Sequence, residues 1–319
     1  MTRGPVVAIG IFDGVHRGHQ AILARAARRA RALRTTPAAL TFFPHPAAIV
    51  APGHVPTLLL SLDQRLAVFR ACGIRRAVVL RFTRAVSRWT PEQFVERILA
   101  RRLHAREVVV GHDFGFGRGR RGTIETLRAL GRRYGFRVHV VSPVRVGRVR
   151  ISSRRIRQAI IAGRLKVAWR YLGRPPTVVG CVVRGAGRGR QMGIPTANLQ
   201  LTAGLLPPTG VYAVWARSGA FMAPGVANLG WRPTVSPRRP AHPVLEVHLF
   251  HRQVPPLRGR PLEVAFGRRL RAERRFPSLA ALAAQIHRDQ AAARRWLRRQ
   301  PVPRAIFLYR RPGPRYTAS

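Results

Sequence analysis

The first half of the chain alternates short apolar runs with longer stretches whose apolar residues recur at helical spacing. Runs of the first kind predict strands, and recurrence of the second kind predicts helices. The predicted strands are 6–12, 38–43, 77–82, 107–111 and 136–141. The predicted helices are 18–33, 62–71, 123–134 and 153–172, the last broken near Gly163, and another helix starts at Thr90 and Pro91. This alternation predicts an α/β, Rossmann-like parallel sheet with helices on both faces.

The pattern changes near Gly173, where strands begin to follow one another without helices between them. These strands are predicted at 178–184, 211–217, 225–229, 244–250 and 262–266, separated by Gly- and Pro-rich turns. Such spacing favours an antiparallel β-barrel or sandwich. An amphipathic helix at 278–297 follows, and the Pro- and Arg-rich tail at 301–319 is expected to be irregular. We therefore expect two domains, 1–173 and 174–300.

The length and the cysteine content agree with two cores built in a reducing compartment. A chain of 319 residues is long enough for two domains of ordinary size. No stretch approaches the ~18 uninterrupted apolar residues of a transmembrane helix. Cys72 and Cys181 are far apart and form neither a disulfide framework nor a metal-binding spacing. These features predict a cytoplasmic protein.

The formal net charge of +48 raises the question of a nucleic-acid partner. A basic surface attracts phosphate without sequence preference. The arginines, however, are scattered through nearly every segment, and Lys166 is the only lysine, so a composition bias of the whole chain is the favoured explanation. We expect no nucleic-acid partner, and the sequence leaves the oligomeric state open. Because only 11 residues are acidic, each carboxylate within a motif is a better functional candidate than usual.

The segment GIFDGVHRGHQAIL carries two histidines where the first predicted strand, ending at Phe12, leads into the first predicted helix. Ligands bind beyond the carboxyl ends of parallel strands, and a helix N-terminus attracts phosphate. His16 and His19 lie one turn apart and can both face that phosphate, while Gly14 and Gly18 let the backbone come close. Imidazole donors suit the added charge of a five-coordinate phosphorus. A metal site is the alternative, although the segment offers one carboxylate and no cysteine.

This segment resembles the nucleotidylyltransferase half of the bacterial bifunctional riboflavin kinase/FAD synthetase family. Further segments agree in order: LTFFPHP, VVVGHDFGFGRGRRGT and ISSRRIRQAIIAGRLKVAWRYLGRP. The resemblance implies that His16 and His19 stabilise the α-phosphoryl group of ATP, within a phosphate site that includes Phe12, Gly14 and Gly18. It also implies a loop around flavin and nucleotide made by Asp113, Phe114 and Phe116, and a triphosphate site made by Ser152, Ser153 and Arg157.

One residue in this half departs from the family pattern. The family usually carries threonine where this chain has Arg154. An arginine reaches a phosphate as a long charged group rather than as a short hydroxyl. We therefore expect slower adenylylation than with threonine at this position.

The segment VVGCVVRGAGRGRQMGIPTANLQ is the second dense motif. Its glycines, among them Gly185, Gly189 and Gly193, make a flexible loop that could wrap phosphates, although a solvated turn is the default interpretation of such a run. The whole segment resembles the riboflavin kinase module of the same family. Later segments agree with that module as well: GVYAV, GVANLGWRPTV, LEVHLF and LRAERRFPSLAALAAQIHRD.

The kinase resemblance implies that Thr196 and Asn198 bind Mg²⁺ and ATP phosphates, and that Glu246 is the base for the ribityl 5′-hydroxyl. Phosphoryl transfer needs charge neutralisation and placement of the hydroxyl more than covalent help, and a carboxylate can take the hydroxyl proton. Without the motif, Glu246 would be read as a solvent-facing strand residue. Two positions depart from the family: His251 replaces a common aspartate, and Arg258 replaces an aromatic residue, so we expect the local loop and the flavin packing to differ from the family pattern.

The sequence therefore predicts a two-step enzyme of flavin cofactor synthesis. Riboflavin and ATP with Mg²⁺ would give FMN and ADP in the second domain, and FMN and ATP with Mg²⁺ would give FAD and pyrophosphate in the first. One alternative is an enzyme that retains only the kinase. Another is a basic nucleic-acid-binding protein built on a decayed enzyme.

Overall fold

The computed structural model describes residues 4–185, 193–232 and 242–300. By their packing these residues form two compact units, the first holding 4–57 and 62–152, the second 58–61 and the described residues from 153 onward. The division by packing falls between residues 152 and 153, whereas the predicted domain boundary is at 173/174, and that boundary stays a prediction. The predicted tail and Gly189 lie outside the described residues. No helix in the described part of the chain is both long enough and apolar enough to span a membrane.

The first unit is built on a five-stranded sheet whose strands all run parallel. The strand order is β3-β2-β1-β4-β5, and the strands are β1 Val6–Ile9, β2 Pro37–Phe43, β3 Arg76–Arg81, β4 Glu107–Gly111 and β5 Arg137–Val141. The chain leaves central β1 to one side and later returns to its other side at β4. Such a reversal creates a crevice at the carboxyl ends of the strands, where ligands of this architecture bind. The predicted Rossmann-like sheet is confirmed.

The helices of the first unit connect these strands. They are α1 Arg17–Ala32, α2 Ala47–Val50, α3 Leu62–Ala71, α4 Arg84–Ser87, α5 Pro91–Phe94 and α6 Ile124–Tyr134. The Thr90–Gln93 pair caps α5 reciprocally, and the chain continues as a π-helix over Val95–Arg102. A short hairpin, β6 Arg145–Val146 and β7 Val149–Arg150, ends the unit. The predicted helix at 62–71 and the predicted strand at 107–111 are confirmed.

Helix α1 is tied to the sheet through the buried carboxylate of Glu107. Arg29 of α1 donates to both carboxylate oxygens of Glu107 at the start of β4, over 2.8 and 2.6 Å. His139 of β5 lies 2.8 Å from the same carboxylate, whose side chain is 3% exposed. The hydrogen bond from Arg29 holds the pKa of Glu107 below its usual value, against the effect of burial.

The second unit is a closed six-stranded antiparallel barrel. Its strands are β8 Thr177–Val183, β9 Ala197–Ala203, β10 Gly210–Ser218, β11 Phe221–Arg232, β12 His242–Leu249 and β13 Pro261–Arg271. Of the two architectures that the pattern allowed, the structure selects the barrel. Strand β9 was not predicted, since its residues were read only as part of the glycine-rich motif.

Among the described residues of the second unit, three segments form helices: α7 Ser153–Ile161, α8 Leu165–Leu172 and α9 Leu279–Arg298. The predicted break near Gly163 separates α7 from α8. Helix α9 covers part of the outer barrel wall, where Ala293 and Leu297 pack with Val211, Ala213 and Trp215. The barrel interior holds a separate apolar core that includes Leu245 and Val247.

Candidate active sites

The turn between β1 and α1 is tightly wound. Strand β1 ends at Ile9 rather than at Phe12 as predicted, and Phe12 itself has a left-handed φ of 54°, which a strand cannot contain. Gly14 and Val15 are also left-handed, with φ of 76° and 36°. A β-branched residue there is strained, and such strain clusters at functional turns. The turn is buried from Phe12 to His16.

His16 caps α1 and sets the orientation of both histidine rings. The backbone N–H of His19 donates to Nδ1 of His16 over 3.3 Å, so the neutral His16 ring carries its proton on Nε2. The two rings stack with centroids 3.7 Å apart, and Phe12 meets His19 edge-on at 5.3 Å. A Cβ at Gly18 would lie 3.1 Å from the His16 ring, so glycine leaves room for that ring. The structure thus brings the predicted pair together.

The predicted flavin loop follows β4 at the same edge of the sheet. The carboxylate of Asp113 is largely exposed and accepts a 2.6 Å bond from Arg150 of β7, while Arg120 donates to the Asp113 carbonyl. Phe114 and Phe116 stack at 5.5 Å. Phe116 is buried in the core of the unit, so it supports the loop from beneath, and Asp113 remains accessible.

The predicted triphosphate residues lie at the start of α7. Ser153 opens this helix and Arg157 follows one turn later on the same face. Ser152, Ser153 and Arg157 are half-buried, whereas Arg154 is exposed. A hydroxyl at the start of a helix and a guanidinium one turn later suit a phosphate chain, because a helix N-terminus attracts anions.

In the barrel, the predicted kinase residues meet through strand pairing. Asn198 of β9 and Asn228 of β11 lie directly opposite Glu246, on either side of β12. Leu245 and Val247 fill the barrel interior, so alternation turns Glu246 outward. Directly opposed residues of antiparallel strands have Cβ atoms about 5 Å apart on one face. The three polar side chains therefore form one row on the outer wall.

Asn198 is the buried end of this row. The residue is 8% exposed, and its Oδ1 has no hydrogen-bond partner within the described residues. A Cβ at Gly185 would overlap the Asn198 amide, so glycine leaves room for that side chain. Thr196 precedes Asn198 by two residues and is half-buried, and Gly193 is exposed with a left-handed φ of 70°. Hydroxyl, amide and carboxylate oxygens in this arrangement suit a hard divalent cation.

His248 links the base strand to the segment before β9. Its Nδ1 lies 2.9 Å from the carbonyl oxygen of Pro195, the residue before Thr196. A carbonyl can only accept, so Nδ1 carries the proton and donates. His248 is two residues from Glu246 and shares its outward face.

Comparison with known proteins covers both units. The FAD synthetase family model matches residues 1–155, and the riboflavin kinase family model matches residues 172–297. The bifunctional riboflavin kinase/FMN adenylyltransferase of Pseudomonas fluorescens is 41% identical over 92% of this chain and 93% of its own length. The protein of the same name from Escherichia coli K12 is 39% identical over 91% of this chain and 92% of its own length. The chain belongs to the bifunctional riboflavin kinase/FMN adenylyltransferase family.

A solved structure shows the same fold over nearly the whole length. It comes from Streptococcus pneumoniae, is named a macrolide-efflux protein, and matches with a TM-score of 0.82 at 30% identity. It covers 93% of this chain and 96% of its own. The name of that structure indicates another activity than the names of the two relatives. The family assignment therefore rests on the two family models and the two relatives.

Sequence reasoning did not single out three polar residues that the structure places at or near the predicted sites: Asn228, His248 and Arg65. Asn228 stands within GVANLGWRPTV and His248 within LEVHLF, so the motifs contained both, but only the pairing of β11 and β9 with β12 shows what they meet. Arg65 left one signal. Arg65 lies between Gln64 and Leu66 in the sequence, in the buried part of α3. Its own face of the helix is otherwise apolar, so a cation there is unusual.

Proposed function

We propose that this chain makes FMN from riboflavin in its barrel unit and FAD from FMN in its sheet unit, with ATP as co-substrate in both reactions. The observation that carries the proposal is that the histidine pair and the polar row on the barrel wall lie in different units. The stacked histidines at the start of α1 suit transfer at a phosphorus atom. The row on the barrel wall suits deprotonation of a hydroxyl beside a bound cation.

In FAD formation, a phosphate oxygen of FMN attacks the α-phosphorus of ATP, and pyrophosphate leaves with its electron pair. Charge builds on the oxygens of the five-coordinate phosphorus. His16 offers Nε2–H to that charge because its Nδ1 is engaged at the cap. We assign His19 to the same task, and the N-terminus of α1 adds a positive dipole end. Phe12, Gly14 and Gly18 shape the turn that presents these donors.

The remaining predicted residues would bind the two substrates of this step. Asp113, Phe114 and Phe116 are assigned to the loop that takes flavin and nucleotide. Ser152, Ser153 and Arg157 are assigned to the triphosphate, where a helix start offers hydroxyl, guanidinium and backbone donors.

In FMN formation, Glu246 would accept the proton of the ribityl 5′-hydroxyl as its oxygen attacks the γ-phosphorus of ATP, and ADP leaves. Mg²⁺, when bound, neutralises charge on the ATP phosphates. Thr196 and Asn198 would hold it, and the buried Oδ1 of Asn198, which has no hydrogen-bond partner in the described part of the chain, fits that role. Gly185 and Gly193, with Gly189, are assigned to the phosphate-wrapping loop.

The setting of the enzyme is part of the proposal. Cys72 and Cys181 are free thiols, which supports a reducing cytoplasm. The substrates are small molecules, and the scattered arginines are assigned to composition rather than to a nucleic-acid surface.

Incubation of the full chain with riboflavin, ATP and Mg²⁺ tests the proposal. Chromatography should show FMN first and FAD later. Formation of FMN without FAD would show that the chain has only the kinase activity. Absence of both products would refute the proposed function. Nucleic-acid binding that falls steeply with salt would then favour the alternative of a basic nucleic-acid-binding protein.

A further inference from the structure

Arg65 of α3 is a buried cation that contacts the ends of two strands. The residue is 3% exposed. Its Nη1 donates to the carbonyl of Ile11 over 2.7 Å, to Oγ1 of Thr41 over 3.1 Å and to the carbonyl of Phe42 over 3.4 Å. Thr41 itself donates to the Ile11 carbonyl over 3.1 Å. One guanidinium thus joins the segment after β1 to the carboxyl end of β2.

Stability alone gives a poor account of this arrangement. Burial lowers the pKa of Arg65, and attraction to Asp13 only partly opposes that effect. The Nε–H of Arg65 has no hydrogen-bond partner among the described residues. A buried charge with incomplete hydrogen bonding commonly costs more than an apolar side chain of similar volume. A buried cation at the edge of a candidate site is itself a candidate for function.

The position of the contacts indicates which function. Ile11 immediately precedes the left-handed Phe12, and the turn from Phe12 to Val15 leads directly into His16. This turn is strained at Val15, so it needs outside contacts to hold its shape. The bond from Arg65 fixes the carbonyl at the entrance of the turn, on the side opposite to the α1 cap.

We propose that Arg65 is a positioning residue for FMN adenylylation, which holds the β1–α1 turn so that His16 and His19 meet the α-phosphoryl group. This inference rests on the proposed function of the sheet unit. Arg65 acts through the turn and is not assigned a contact with substrate. Misplacement of catalytic groups by ~1 Å can lower a rate about 100-fold, which sets the size of the expected effect.

The test compares Arg65→Met and Arg65→Lys with Arg70→Met, which removes an exposed arginine from the same helix. For each protein, kcat and KM of FAD formation from supplied FMN and ATP are measured, with FMN formation from riboflavin as an internal control in the other unit. We expect Arg65→Met to lower kcat for FAD formation about 100-fold with little change in KM. Arg65→Lys keeps the charge without the planar fork and should lose about tenfold. Arg70→Met should match the parent.

The outcomes separate positioning from a structural role and from failure of the proposed function. If folded Arg65→Met forms FAD with the kcat of Arg70→Met and only its thermal midpoint falls, Arg65 is structural and the inference is wrong. If Arg65→Met does not fold, Arg65→Lys decides, and a parental kcat in that variant overturns the inference. If the parent itself makes no FAD, the proposed function of the sheet unit is wrong, and the inference about Arg65 falls with it.

Discussion

Asn198 and Glu246 lie directly opposite each other on β9 and β12, although one belongs to the glycine-rich motif and the other to a distant alternating strand. Their pairing places an amide oxygen without a partner among the described residues beside a half-buried carboxylate. Such a pair unites the assigned cation site and the assigned base on one face of the barrel.

Glu246→Gln should abolish FMN formation and leave FAD formation from supplied FMN unchanged. The amide cannot accept the proton of the ribityl hydroxyl, and loss of a general base typically lowers a rate about 100- to 10,000-fold. The matched control is Glu92→Gln, which removes an exposed carboxylate. Chromatography of both products measures the effect. Loss of both activities in folded Glu246→Gln would contradict the assignment of two separate sites.

His19→Ala should have the reverse effect. Removing one donor to the developing phosphorane charge lowers kcat about 100- to 1,000-fold, so FAD formation should stop while FMN still accumulates. His54→Ala, at an exposed position, serves as the control. An unchanged kcat for FAD formation in His19→Ala would remove the histidine from the mechanism.

His248→Phe should weaken ATP binding in the kinase reaction. The variant loses the donor to the Pro195 carbonyl, so the segment that leads to Thr196 loses one of its contacts with β12. We expect KM for ATP with Mg²⁺ to rise about tenfold, the effect of one hydrogen bond of ~1.4 kcal/mol. His248→Asn retains an amide donor and should recover part of the loss. Equal KM values in His248→Phe and the parent would show that the bond has no such role.

Arg154→Thr should accelerate FAD formation. The substitution places a short hydroxyl directly after Ser153 in the first turn of α7, where this chain carries an exposed arginine. A gain of about tenfold at most is expected from one added hydrogen bond to a phosphate. Arg155→Thr, the neighbouring change, should not reproduce it. Equal steady-state rates in Arg154→Thr and the parent would show that the arginine does not slow the reaction.

The ion pair of Arg29 with Glu107 makes the stability of the sheet unit depend on pH. Because the pKa of Glu107 is held down in the folded state, its contribution is complete above about pH 5 and is lost as pH falls through the folded pKa. Glu107→Gln should therefore destabilise the unit by about 2 kcal/mol at neutral pH and by progressively less in acid. Hydrogen exchange of β1 and β4 peptides, with Glu92→Gln as control, measures this difference. A pH-independent difference would contradict the linkage.

Much of the fold followed from local patterns. Apolar periodicity predicted the parallel sheet, and turn and cap residues predicted individual ends, as at the helix start at Thr90 and Pro91 and the break near Gly163. The end of β1 was wrong because the apolar run continues to Phe12 while the backbone has already turned. Strand β9 was missed because its polar residues were read as a motif, although they alternate with apolar ones.

The sequence by itself determined which chemical groups are present and which turn of the chain carries them: the histidine pair before α1, the hydroxyls before α7 and the carboxylate of Glu246. Tertiary structure alone decided what these groups meet. Barrel closure set Asn198 and Asn228 beside Glu246, and the packing of α3 buried Arg65 against the carbonyl of Ile11. The physical reason is that periodicity reports only the face of an element, whereas partners across strands depend on register and closure, which involve residues far apart in the chain.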